Sequence, residues 1–591
     1  MNTRSISSLI AICFLTFWAS PVAGAVSENI GGDWVGGSNL FGNPVFISFS
    51  FTASPAGTQG AANIQSWRVS NRTLTKVQVE GSRLHFEFPS TTGIPFVGDG
   101  EIKTGVIEGT IHRGEQQGKF HLVRVANIDR KLLGRYVGAF RFDDPQAPDK
   151  SQLGLITYGS RGYLRWVNLN SGDTMGLFPM SDKTFFFAVS VIGSPSPENM
   201  TWTFENSSDG EITRSIVRVK GQPDNVGLPA QTYHQELLNI KSGNATLSAT
   251  LVMPAAKGKH PVAIFVPGSG ALSRDESAPF REFDTFIRNG VGLLVYDKRG
   301  TGMSSGDWQQ ESFDELASDV LAGVALLKSR KDVDSEKIGA WGFSQGGWIA
   351  PLAASRSKDI AFLIIASGGG VTPPQAEIGE QVARMRVQKL SPAEIDEAIA
   401  FMNLQFDVVR NPNRWSEFQA AAEKVKDKKW YRYTWGGLPK EHWQWNWWRP
   451  VVDYDPFAAL SRIKVPVLVM FGAADQYAPS ENIPKSIETI STALARGGNK
   501  DITTKIFANA DHDLFVKLEN GQFGAPPDYH EVLSNWLRRL TPSSSSPIRQ
   551  LGDSTVTRLS YLSFAPSRVS RKTNQAQTPS ASSDCREVFG R

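Results

Sequence analysis

The stretch "KIGAWGFSQGGWIAPLAA", residues 337–354, places a serine between glycines where two kinds of pattern meet. An apolar run typical of a buried strand precedes Ser344, and an alanine-rich run typical of a helix follows it. A strand-to-helix turn this abrupt needs glycine at positions 342 and 346, because larger side chains would clash there. A lone G-x-S-x-G is more often an ordinary turn, but the strand before it and the helix after it favour a nucleophile. We therefore predict that Ser344 stands exposed above a sheet, at the positive end of the helix.

Apolar runs on both sides of this turn alternate with helical segments. The predicted strands cover residues 262–266, 293–296, 338–341, 362–366 and 467–471. A hairpin over residues 233–254 comes before them. Strands that alternate with helices are typical of a mostly parallel sheet with helices on both faces. The sequence thus predicts an α/β domain over residues 230–540, with its ligand site at the carboxyl ends of the strands.

Residues 26–225 have a different pattern. Short alternating stretches such as "RLHFEF" at 83–88 and "VIEGTIHRG" at 106–114 are separated by Gly, Asn and Asp, which is typical of antiparallel strands. "GDWVG" at 32–36 is partly repeated as "GRYVG" at 134–138, which hints at two related β units. We predict an all-β accessory domain, either a small barrel or a sandwich, without chemistry of its own.

Two further segments differ from their surroundings. Residues 372–450 are helical and charged and contain six tryptophans between Trp430 and Trp448, so we predict an insertion that forms a cap over the sheet. The tryptophans either line a pocket for an apolar substrate or pack the cap, and packing is slightly favoured. Residues 541–591 are rich in Ser, Arg and Thr with little periodicity, and a disordered tail is expected.

Composition limits the possible functions. At 591 residues the chain is long enough for two or three domains. The net charge of +4 is spread along the sequence and gives no reason to expect nucleic acid as a partner. The two cysteines, Cys13 and Cys585, lie outside the predicted folded regions, which excludes a cysteine-ligated metal or cluster.

The first 25 residues resemble a leader. Arg4 precedes an apolar run at residues 9–18, and small residues at 23–25 follow, as in a cleaved signal peptide. The alternative, a membrane anchor, needs about 20 apolar residues. Cys13 lacks the small preceding residue of a lipoprotein cleavage site, so lipidation is disfavoured. We expect export to the periplasm or the extracellular space, with no stable membrane insertion after cleavage.

A serine hydroxyl becomes a useful nucleophile only when a base removes its proton. Among the eight histidines, His512 in "IFANADHDLF" follows a predicted strand at its carboxyl end, where it could reach Ser344. The other histidines lie in the β region, before strands or in the tryptophan-rich insertion, and His530 is expected on the surface of an amphipathic helix. We predict that His512 is the general base.

The imidazole in turn needs a carboxylate that fixes its tautomer. Asp475, in "VPVLVMFGAADQYAP", comes shortly after the strand at 467–471 and is the predicted partner. Its alternative role is a turn aspartate that caps the helix near Ser480. Asp511 and Asp513 flank the histidine and are rivals, with a local role favoured for both.

An oxyanion hole needs two donors aimed at the position where negative charge develops. The N–H of Gln345, directly after the nucleophile, is the first predicted donor. The loop 267–270, "PGSG", follows the strand at 262–266, and the N–H of Ser269 is the second predicted donor. A simple turn is the alternative interpretation of this loop.

These motifs resemble those of exported α/β-hydrolases of the esterase, acyl-hydrolase and serine-aminopeptidase-like group. The stretches that carry the resemblance are "VPGSG", "YDKRGTGMS", "GFSQGG", "GAADQYAP" and "ADHDLF". The resemblance covers about residues 233–540 and matches the chain order Ser, Asp, His of that fold. It implies that Asp297 and Arg299 lie in a structural loop beside the site. Pro267 stands where many relatives have histidine, which is a departure from the family pattern in the loop predicted to supply the second oxyanion donor.

The resemblance and the residues together predict an enzyme that hydrolyses a small carboxylic ester through an acyl-enzyme. A serine peptidase of the aminopeptidase type is the alternative, and it would need anions such as Glu377, Glu380 or Glu394 to bind a free amine. A third possibility is a binding protein that has lost activity.

Other chemistries lack their motifs. "GTGMSSG" at 300–306 does not have the G-x-G-x-x-G spacing, and no P-loop motif occurs. His530 and Glu531 lack the second histidine of a zinc protease motif. We therefore expect no metal and no cofactor, and the sequence does not predict an oligomeric state.

Overall fold

The computed structural model describes residues 29–541 except 43–44, 56, 65–66, 68, 91–92, 144–151, 170–171, 190–199, 231–232, 478–481 and 519–522. The predicted leader at 1–25 lies outside the described residues, as does the predicted tail apart from Thr541. No helix within the described ranges is long and apolar enough to cross a bilayer.

The first part of the chain forms a sheet of nine antiparallel strands. These strands, β1 to β9, are Gly32–Ser38, Val45–Ser54, Gly57–Ile64, Val69–Thr73, Lys76–Glu80, Arg83–Phe88, Phe96–Lys103, Val106–Arg113 and Gln116–Arg124. Their order is β4-β3-β2-β1-β9-β8-β7-β6-β5. Because β1 pairs with β9, the first and last strands lie next to each other in the middle of the sheet. The two edge strands are β4 and β5, which are consecutive in sequence.

Strict alternation explains how this sheet forms a core. In β6, Leu84, Phe86 and Phe88 face inward and are buried, while the residues between them are more exposed. The Phe86 ring lies 4.9 Å from the Phe49 ring between centroids. It also covers Gly98 so closely that a Cβ there would come within 2.1 Å of the ring. The sheet is therefore held together by aromatic side chains packed on one face.

The next part of the chain forms a closed barrel of eight antiparallel strands. These strands, β10 to β17, are Gly138–Phe142, Gln152–Tyr158, Leu164–Asn168, Thr174–Pro179, Thr184–Val189, Met200–Asn206, Ile212–Val219 and Asn225–Ala230. The barrel closes because β17 pairs with β10. A 3-10 turn at Arg130–Tyr136 leads into it, and Tyr136 stacks on Phe204 with ring centroids 4.4 Å apart. The two partly repeated stretches thus open two separate sheets, each with a buried aromatic residue, Trp34 or Tyr136.

The remaining chain forms an eight-stranded mixed sheet. Its strands, β18 to β25, are Tyr233–Ser242, Ala245–Pro254, His260–Val266, Gly292–Tyr296, Val333–Phe343, Phe362–Ala366, Val467–Gly472 and Ile502–Phe507. A two-stranded ribbon follows, with β26 at Val516–Lys517 and β27 at Phe523–Gly524. The order is β18-β19-β21-β20-β22-β23-β24-β25, and the strands from β21 onward in this order are parallel. Each predicted apolar run lies within one of these strands.

Helices cover both faces of the mixed sheet. The helices, α1 to α11, are Arg274–Ser277, Phe280–Arg288, Phe313–Lys328, Gly346–Ala354, Pro373–Val387, Pro392–Arg410, Trp415–Val425, Trp443–Trp448, Pro456–Leu460, Asn482–Arg496 and Tyr529–Leu537. Residues of α3 and α4 belong to the core on one face, and residues of α2 and α11 belong to the core on the other. This arrangement leaves the carboxyl ends of the parallel strands as the place where loops meet.

Helices α5 to α8 form an insertion between β23 and β24. The two longest of these helices, α5 and α6, each begin with a capping box, as in α6, where Ser391 and Glu394 form the box and Pro392 occupies the first turn. Four tryptophans of the insertion are buried in its packing: Trp430, Trp435, Trp445 and Trp448. The favoured interpretation of the tryptophans, that they pack this segment, agrees with their burial.

The closed barrel contacts the α/β region through a buried charged junction. Asp275 of α1 accepts hydrogen bonds from Ser160 N at 2.9 Å and Ser160 Oγ at 2.7 Å. The same carboxylate accepts from Arg165 Nε at 3.0 Å, and the Arg165 side chain is only 4% exposed. Apolar contacts surround the junction, where Leu155 of the barrel shares a core with Phe283 of α2. The barrel is therefore docked beside the segment that follows β20.

Candidate active site

Ser344 lies at the sharp bend between β22, which ends at Phe343, and α4, which begins at Gly346. Its φ of 53° is in the left-handed region, which non-glycine residues rarely occupy. Two hydrogen bonds hold the bend, one from Ser344 N to Ala366 O at 2.9 Å and one from Gly347 N to Ser344 O at 2.8 Å. Residues held in this way store roughly 1–3 kcal/mol of strain, and such positions cluster at functional sites.

The glycines on both sides of Ser344 are required by close backbone contacts. A Cβ at Gly342 would lie 2.0 Å from Gly346 O, and a Cβ at Gly346 would lie 2.1 Å from Val266 O. Neither neighbour is a flexible side chain that could move away. The sequence-based explanation of the bend therefore agrees with the contacts of both glycines.

His512 and Asp475 lie in the loops that follow the neighbouring strands β25 and β24. Their side chains are joined by a contact of 2.8 Å between His512 Nδ1 and Asp475 Oδ2. The Asp475 side chain is fully buried and that of His512 is 12% exposed. Asp475 Oδ1 also accepts a hydrogen bond from Tyr477 N at 2.8 Å, so the carboxylate stabilises its own turn as well. The structure thus brings together two of the predicted residues, 37 positions apart in sequence.

The surroundings of His512 raise its pKa. Burial alone would lower the pKa of the imidazole, but the hydrogen bond and the charge of Asp475 raise it, and Asp513 and Glu380 add to this effect. The net result is a pKa above the usual value of a histidine. The ring is held between aromatic neighbours, with its centroid 4.9 Å from that of Tyr477 and 5.3 Å from that of Phe343.

A cavity of about 150 Å³ connects the predicted residues. Ser344 and His512 line it together with both predicted oxyanion residues, Ser269 and Gln345. Asp475 lies behind His512 and is not part of the lining. The five residues selected from the sequence are therefore all placed at the same edge of the sheet, four of them on a common cavity.

The loop after β20 lies directly against Ser344. A Cβ built at Gly268 would come within 3.3 Å of Ser344 Cβ and 3.7 Å of its Oγ. Within the described ranges, neither Ser269 N nor Gln345 N donates a hydrogen bond. Two amides without protein acceptors beside a half-buried serine that lines the cavity are what an oxyanion hole requires.

The loop between β21 and α3 supports this arrangement. Asp297 accepts hydrogen bonds from Arg274 N and Met303 N, both at 2.9 Å. Burial raises the pKa of the Asp297 carboxyl to about 6, although the charge of Arg274 acts in the opposite direction. Arg299 binds Asp319 through two hydrogen bonds of 2.7 and 2.8 Å. Both residues have the supporting contacts that the resemblance implies.

The sequence pointed to some of the other cavity residues only as alternatives: Glu377 and Glu380 as anions that a peptidase would need, and Trp447 and Trp448 as part of the tryptophan cluster. Trp348 and Ser367 were not selected. The walls include aromatic side chains of the insertion and of α4, and two carboxylates of α5: Trp348, Trp447, Trp448, Glu377 and Glu380. Ser367 also lines the cavity with φ of 53°, directly after β23. The glycine-rich "SGGG" at 367–370, at the carboxyl end of a strand, was the signal that could have indicated it.

The structure also assigns places to the remaining candidates. Asp511 accepts hydrogen bonds from Asp513 N at 3.1 Å and Phe515 N at 2.8 Å, which is the local role favoured for it. His530 is half-buried rather than on the surface, because α11 packs on α2 and its Nδ1 contacts Thr285 Oγ1 at 2.8 Å. Burial lowers the pKa of His530 accordingly. In the described ranges, no group of three or more His, Cys, Asp or Glu side chains is arranged to hold a metal.

Comparison with protein families gives one match. A sequence profile described as "Serine aminopeptidase, S33" matches residues 277–519, which is less than half of the chain. The matched range contains Ser344, Asp475 and His512 and begins after Ser269.

Two curated relatives illustrate the level of similarity. Esterase EstD of Thermotoga maritima is 23% identical over 276 residues, which is 45% of this chain and 57% of the esterase. Thiohydrolase aneE of Aspergillus aculeatus is 34% identical over 82 residues, which is 14% of this chain and 26% of the thiohydrolase. The chain spans between about a quarter and just over half of the length of the curated relatives it matches.

Solved structures are similar at lower identity. A Pyrococcus furiosus esterase has a TM-score of 0.34 and 18% identity, covering 52% of this chain and 92% of the esterase. Est1E from Butyrivibrio proteoclasticus, solved with ferulic acid bound, has a TM-score of 0.32 and 18% identity, covering 51% of this chain and 96% of Est1E.

The strand order, the helices on both faces and the bend after β22 are those of an α/β-hydrolase. The family profile and the esterase relative agree with that topology. The α/β region of this chain therefore has the α/β-hydrolase fold, and its residues 277–519 are similar to the serine aminopeptidase profile.

Proposed function

We propose that the protein hydrolyses small carboxylic esters, with Ser344 as nucleophile, His512 as general base and Asp475 as the carboxylate that orients the base. The observation that carries the proposal is the contact of 2.8 Å between His512 Nδ1 and Asp475 Oδ2, beside a cavity that His512 shares with Ser344. Because Nδ1 faces the carboxylate, Nε2 is the nitrogen left for the serine hydroxyl.

In the first half of the reaction, the Ser344 oxygen attacks the carbonyl carbon of the ester while His512 Nε2 takes the hydroxyl proton. The carbonyl oxygen becomes an oxyanion and accepts hydrogen bonds from the N–H groups of Gln345 and Ser269. Collapse of this intermediate breaks the bond to the alcohol oxygen. His512 donates its proton to the leaving alcohol, and the acyl group stays on Ser344.

In the second half, water replaces the alcohol. His512 takes a proton from the water, whose oxygen attacks the acyl carbon and forms a second oxyanion at the same two N–H groups. Breaking the bond to the Ser344 oxygen releases the carboxylic acid, and His512 returns the proton to the serine. Asp475 stabilises the imidazolium in both halves, which is consistent with the raised pKa of His512.

A fluorophosphonate probe tests the nucleophile directly. We expect covalent labelling of the wild-type protein, with the modified peptide containing Ser344, together with turnover of p-nitrophenyl butyrate. Ser344→Ala should neither label nor turn over the ester, while its melting temperature stays close to that of the wild type. A Ser344→Ala protein that still labels would overturn the assignment.

A peptidase that recognises a free amine is the second candidate, because Glu377 and Glu380 line the same cavity as Ser344. Both carboxylates already have protein neighbours, since Gln381 Nε2 donates to Glu377 at 3.1 Å and Glu380 pairs with Arg384. An ammonium group of a substrate would have to share them. These contacts make the ester hydrolase the better supported of the two.

Paired substrates separate the candidates. An esterase should turn over p-nitrophenyl esters and leave alanine p-nitroanilide nearly untouched. If the anilide is the better substrate and Glu377→Gln or Glu380→Gln raises its KM, the peptidase is correct. Absence of turnover and of labelling in the folded protein would favour the third possibility, a binding protein without activity.

We also propose that the protein is exported and that residues 1–25 are removed. The support is the basic start, the short apolar run and the small residues that follow it. Mass spectrometry of the protein isolated from its native cells should give a mature N-terminus close to residue 26. A full-length protein in the cytoplasm would refute export.

A further inference from the structure

A buried lysine lies directly behind the two predicted oxyanion residues. Lys298 Nζ donates to Gln345 Oε1 at 2.8 Å and to the carbonyl oxygen of Gly268 at 3.3 Å. The same nitrogen forms an ion pair with Glu311 Oε1 at 2.6 Å, and the side chains of Lys298 and Glu311 are 2% and 1% exposed. An ammonium group has three N–H donors, so these three contacts account for all of them.

Lys298 is the ion-pair partner of Glu311. The two carboxylate oxygens of Glu311 have no other hydrogen-bond partner within the described ranges. Burial raises the pKa of the Glu311 carboxyl to about 7, although the charge of Lys298 opposes this. A buried ion pair is often no more stabilising than apolar side chains of the same size. Because burying this ion pair is expected to add little stability, its presence indicates a different role.

The contact with Gly268 fixes the direction of a neighbouring amide. The carbonyl of Gly268 and the N–H of Ser269 belong to one trans peptide unit and point in opposite directions. Lys298 holds the carbonyl on the buried side, and Ser344 lies against the same loop, with its Cβ 3.3 Å from a Cβ built at Gly268. The N–H of Ser269 is thereby turned away from the lysine, and Ser269 is one of the residues that line the cavity.

Without such a contact, this peptide unit would be easy to rotate. Ser269 is flanked by Gly268 and Gly270, and Gly270 has φ of +92°. Glycine on both sides lowers the barrier to changing the orientation of a peptide plane. A positive charge on the carbonyl oxygen also polarises the amide, which makes its N–H a better donor.

Lys298 reaches the second predicted donor as well. Its bond to the Gln345 side chain holds the residue whose backbone N–H follows the nucleophile. One cation thus links the two chain segments that supply the two N–H groups, although these segments lie 76 residues apart by their numbers, 269 and 345.

We propose that Lys298 is the positioning residue of the oxyanion hole, with Glu311 as its counter-ion. It fixes the orientation of the Gly268–Ser269 peptide and of Gln345 relative to each other. The inference rests on the proposed function, because it assigns Lys298 a role only if negative charge develops beside Ser344. Lys298 does not touch the substrate in this proposal and acts through the two amides.

Lys298→Met removes the charge and keeps the length of the side chain. We expect kcat for p-nitrophenyl butyrate to fall about 10- to 100-fold with KM within about threefold, since one oxyanion donor is worth about 100- to 1000-fold. Phenylboronic acid, which binds serine hydrolases as a tetrahedral anion, should lose affinity by a similar factor. A purely structural lysine would affect the melting temperature without this parallel loss.

Arg299→Met is the matched control. Arg299 is the next residue of the same loop, is 7% exposed and pairs with buried Asp319, but it has no contact with Gly268 or Gln345 in the described ranges. It should lower the melting temperature at least as much as Lys298→Met while boronate affinity stays within about twofold. Equal loss of boronate affinity in both variants would overturn the proposal, as would unchanged kcat in Lys298→Met.

Gln345→Met is a second variant that tests the proposal if Lys298→Met does not fold. This variant retains the backbone N–H but removes the acceptor of Lys298, and we expect kcat and boronate affinity to fall about 3- to 10-fold together. Wild-type values for this variant would overturn the proposal. If the wild-type protein does not react with the fluorophosphonate probe, the proposed function is wrong. If the wild-type protein reacts and Lys298→Met keeps full activity, only the role of Lys298 is wrong.

Discussion

The β half of the chain, residues 29–230, and the α/β half, residues 233–541, bury different kinds of side chain. The two β cores are rich in Phe, Trp and Tyr, and one charged side chain, that of Arg165, is buried among the described residues of this half. Among its described residues, the α/β half buries nine charged residues: Arg274, Glu282, Asp284, Asp297, Lys298, Arg299, Glu311, Asp319 and Asp475.

The contrast shows that buried side chains have two different roles in this protein. Aromatic rings stabilise a sheet through the area they remove from water, and phenylalanine needs no hydrogen-bond partner. Buried charges cost free energy unless they are paired, and they accumulate where loops must be held in one geometry. Many of the buried charges of the α/β half, Lys298 among them, lie next to the loops that carry Ser269 and Ser344. The exception in the β half, Arg165, binds Asp275 of α1, the helix that follows the loop carrying Ser269.

Removing a buried charge of the α/β half should affect chemistry more than stability. For Asp475→Asn we expect kcat with p-nitrophenyl butyrate to fall about 1000- to 10,000-fold, because the imidazole of His512 loses the carboxylate that fixes its tautomer. The melting temperature should change by only a few degrees, since the two side chains have the same shape. Steady-state kinetics and thermal unfolding measure both effects. Activity within tenfold of the wild type would contradict the assignment.

Removing a buried aromatic residue of the β half should do the opposite. Phe86→Ala should lower the free energy of unfolding of the first sheet by about 3–5 kcal/mol, because a large cavity opens beside Phe49 and Gly98. Urea unfolding followed by circular dichroism measures the loss, and kcat of the folded protein should not change. Phe523→Ala, at a phenylalanine that is 64% exposed, is the control and should shift the transition little. A large loss of kcat in Phe86→Ala would break the contrast.

Arg165, the buried charge of the β half, should affect stability through its ion pair with Asp275. Burial alone would raise the pKa of the Asp275 carboxyl, but the charge and hydrogen bonds of Arg165 and the bonds from Ser160 hold that pKa below its usual range. Asp275 therefore contributes stability above the usual pKa of a carboxyl, and this is lost as the pH falls through the lowered value. Arg165→Met should remove this contribution at neutral pH and cost about 3 kcal/mol.

Thermal unfolding at pH 7 checks the effect of Arg165→Met. Arg141→Met on the same barrel is the control, because the pair between Arg141 and Asp143 is largely exposed. We expect the control to unfold like the wild type. If both variants unfold alike, the junction with Asp275 does not stabilise the protein.

The smallest effect concerns the pH dependence of activity. The general base works when neutral, so ester hydrolysis should increase with pH through a midpoint above the usual histidine pKa, because the pKa of His512 is raised. Glu380 contributes to that raised pKa, so Glu380→Gln should lower the midpoint by about half a pH unit or less. Profiles of kcat/KM against pH measure this shift. Glu423→Gln, at an exposed residue of α7, should leave the midpoint unchanged, and an equal shift in both variants would contradict the explanation.

Local patterns in the sequence were sufficient for much of the α/β half. The apolar runs at 262–266 and 467–471 lie within β20 and β24, because buried parallel strands leave a continuous apolar signal. The bend at Ser344 was predictable because its glycines are needed by contacts within a few residues and with one neighbouring strand. Asp475 was separable from Asp511 because a carboxylate next to the histidine in sequence rarely points at the correct ring nitrogen, and the contact of Asp475 with His512 is as expected.

Contacts between distant segments were not predictable in the same way. The β half was expected to be a small barrel or a sandwich, whereas the structure contains one open sheet and one closed barrel. Closure depends on the pairing of β10 with β17, far apart in sequence, and alternation within a strand carries no information about its neighbour. Lys298 and Glu311 were missed for a similar reason, because neither residue has a local pattern that distinguishes a buried ion pair from two surface charges.

The closure of the barrel has one more consequence. Ala139, at its entrance, is paired with Ala230, at its exit, so the chain enters and leaves the barrel about 5 Å apart, on adjacent strands. A unit with adjoining ends can be exchanged or grafted as a cassette without stretching the segments on either side. Among the barrel's docking contacts, the one at Asp275 is what such an exchange would have to rebuild.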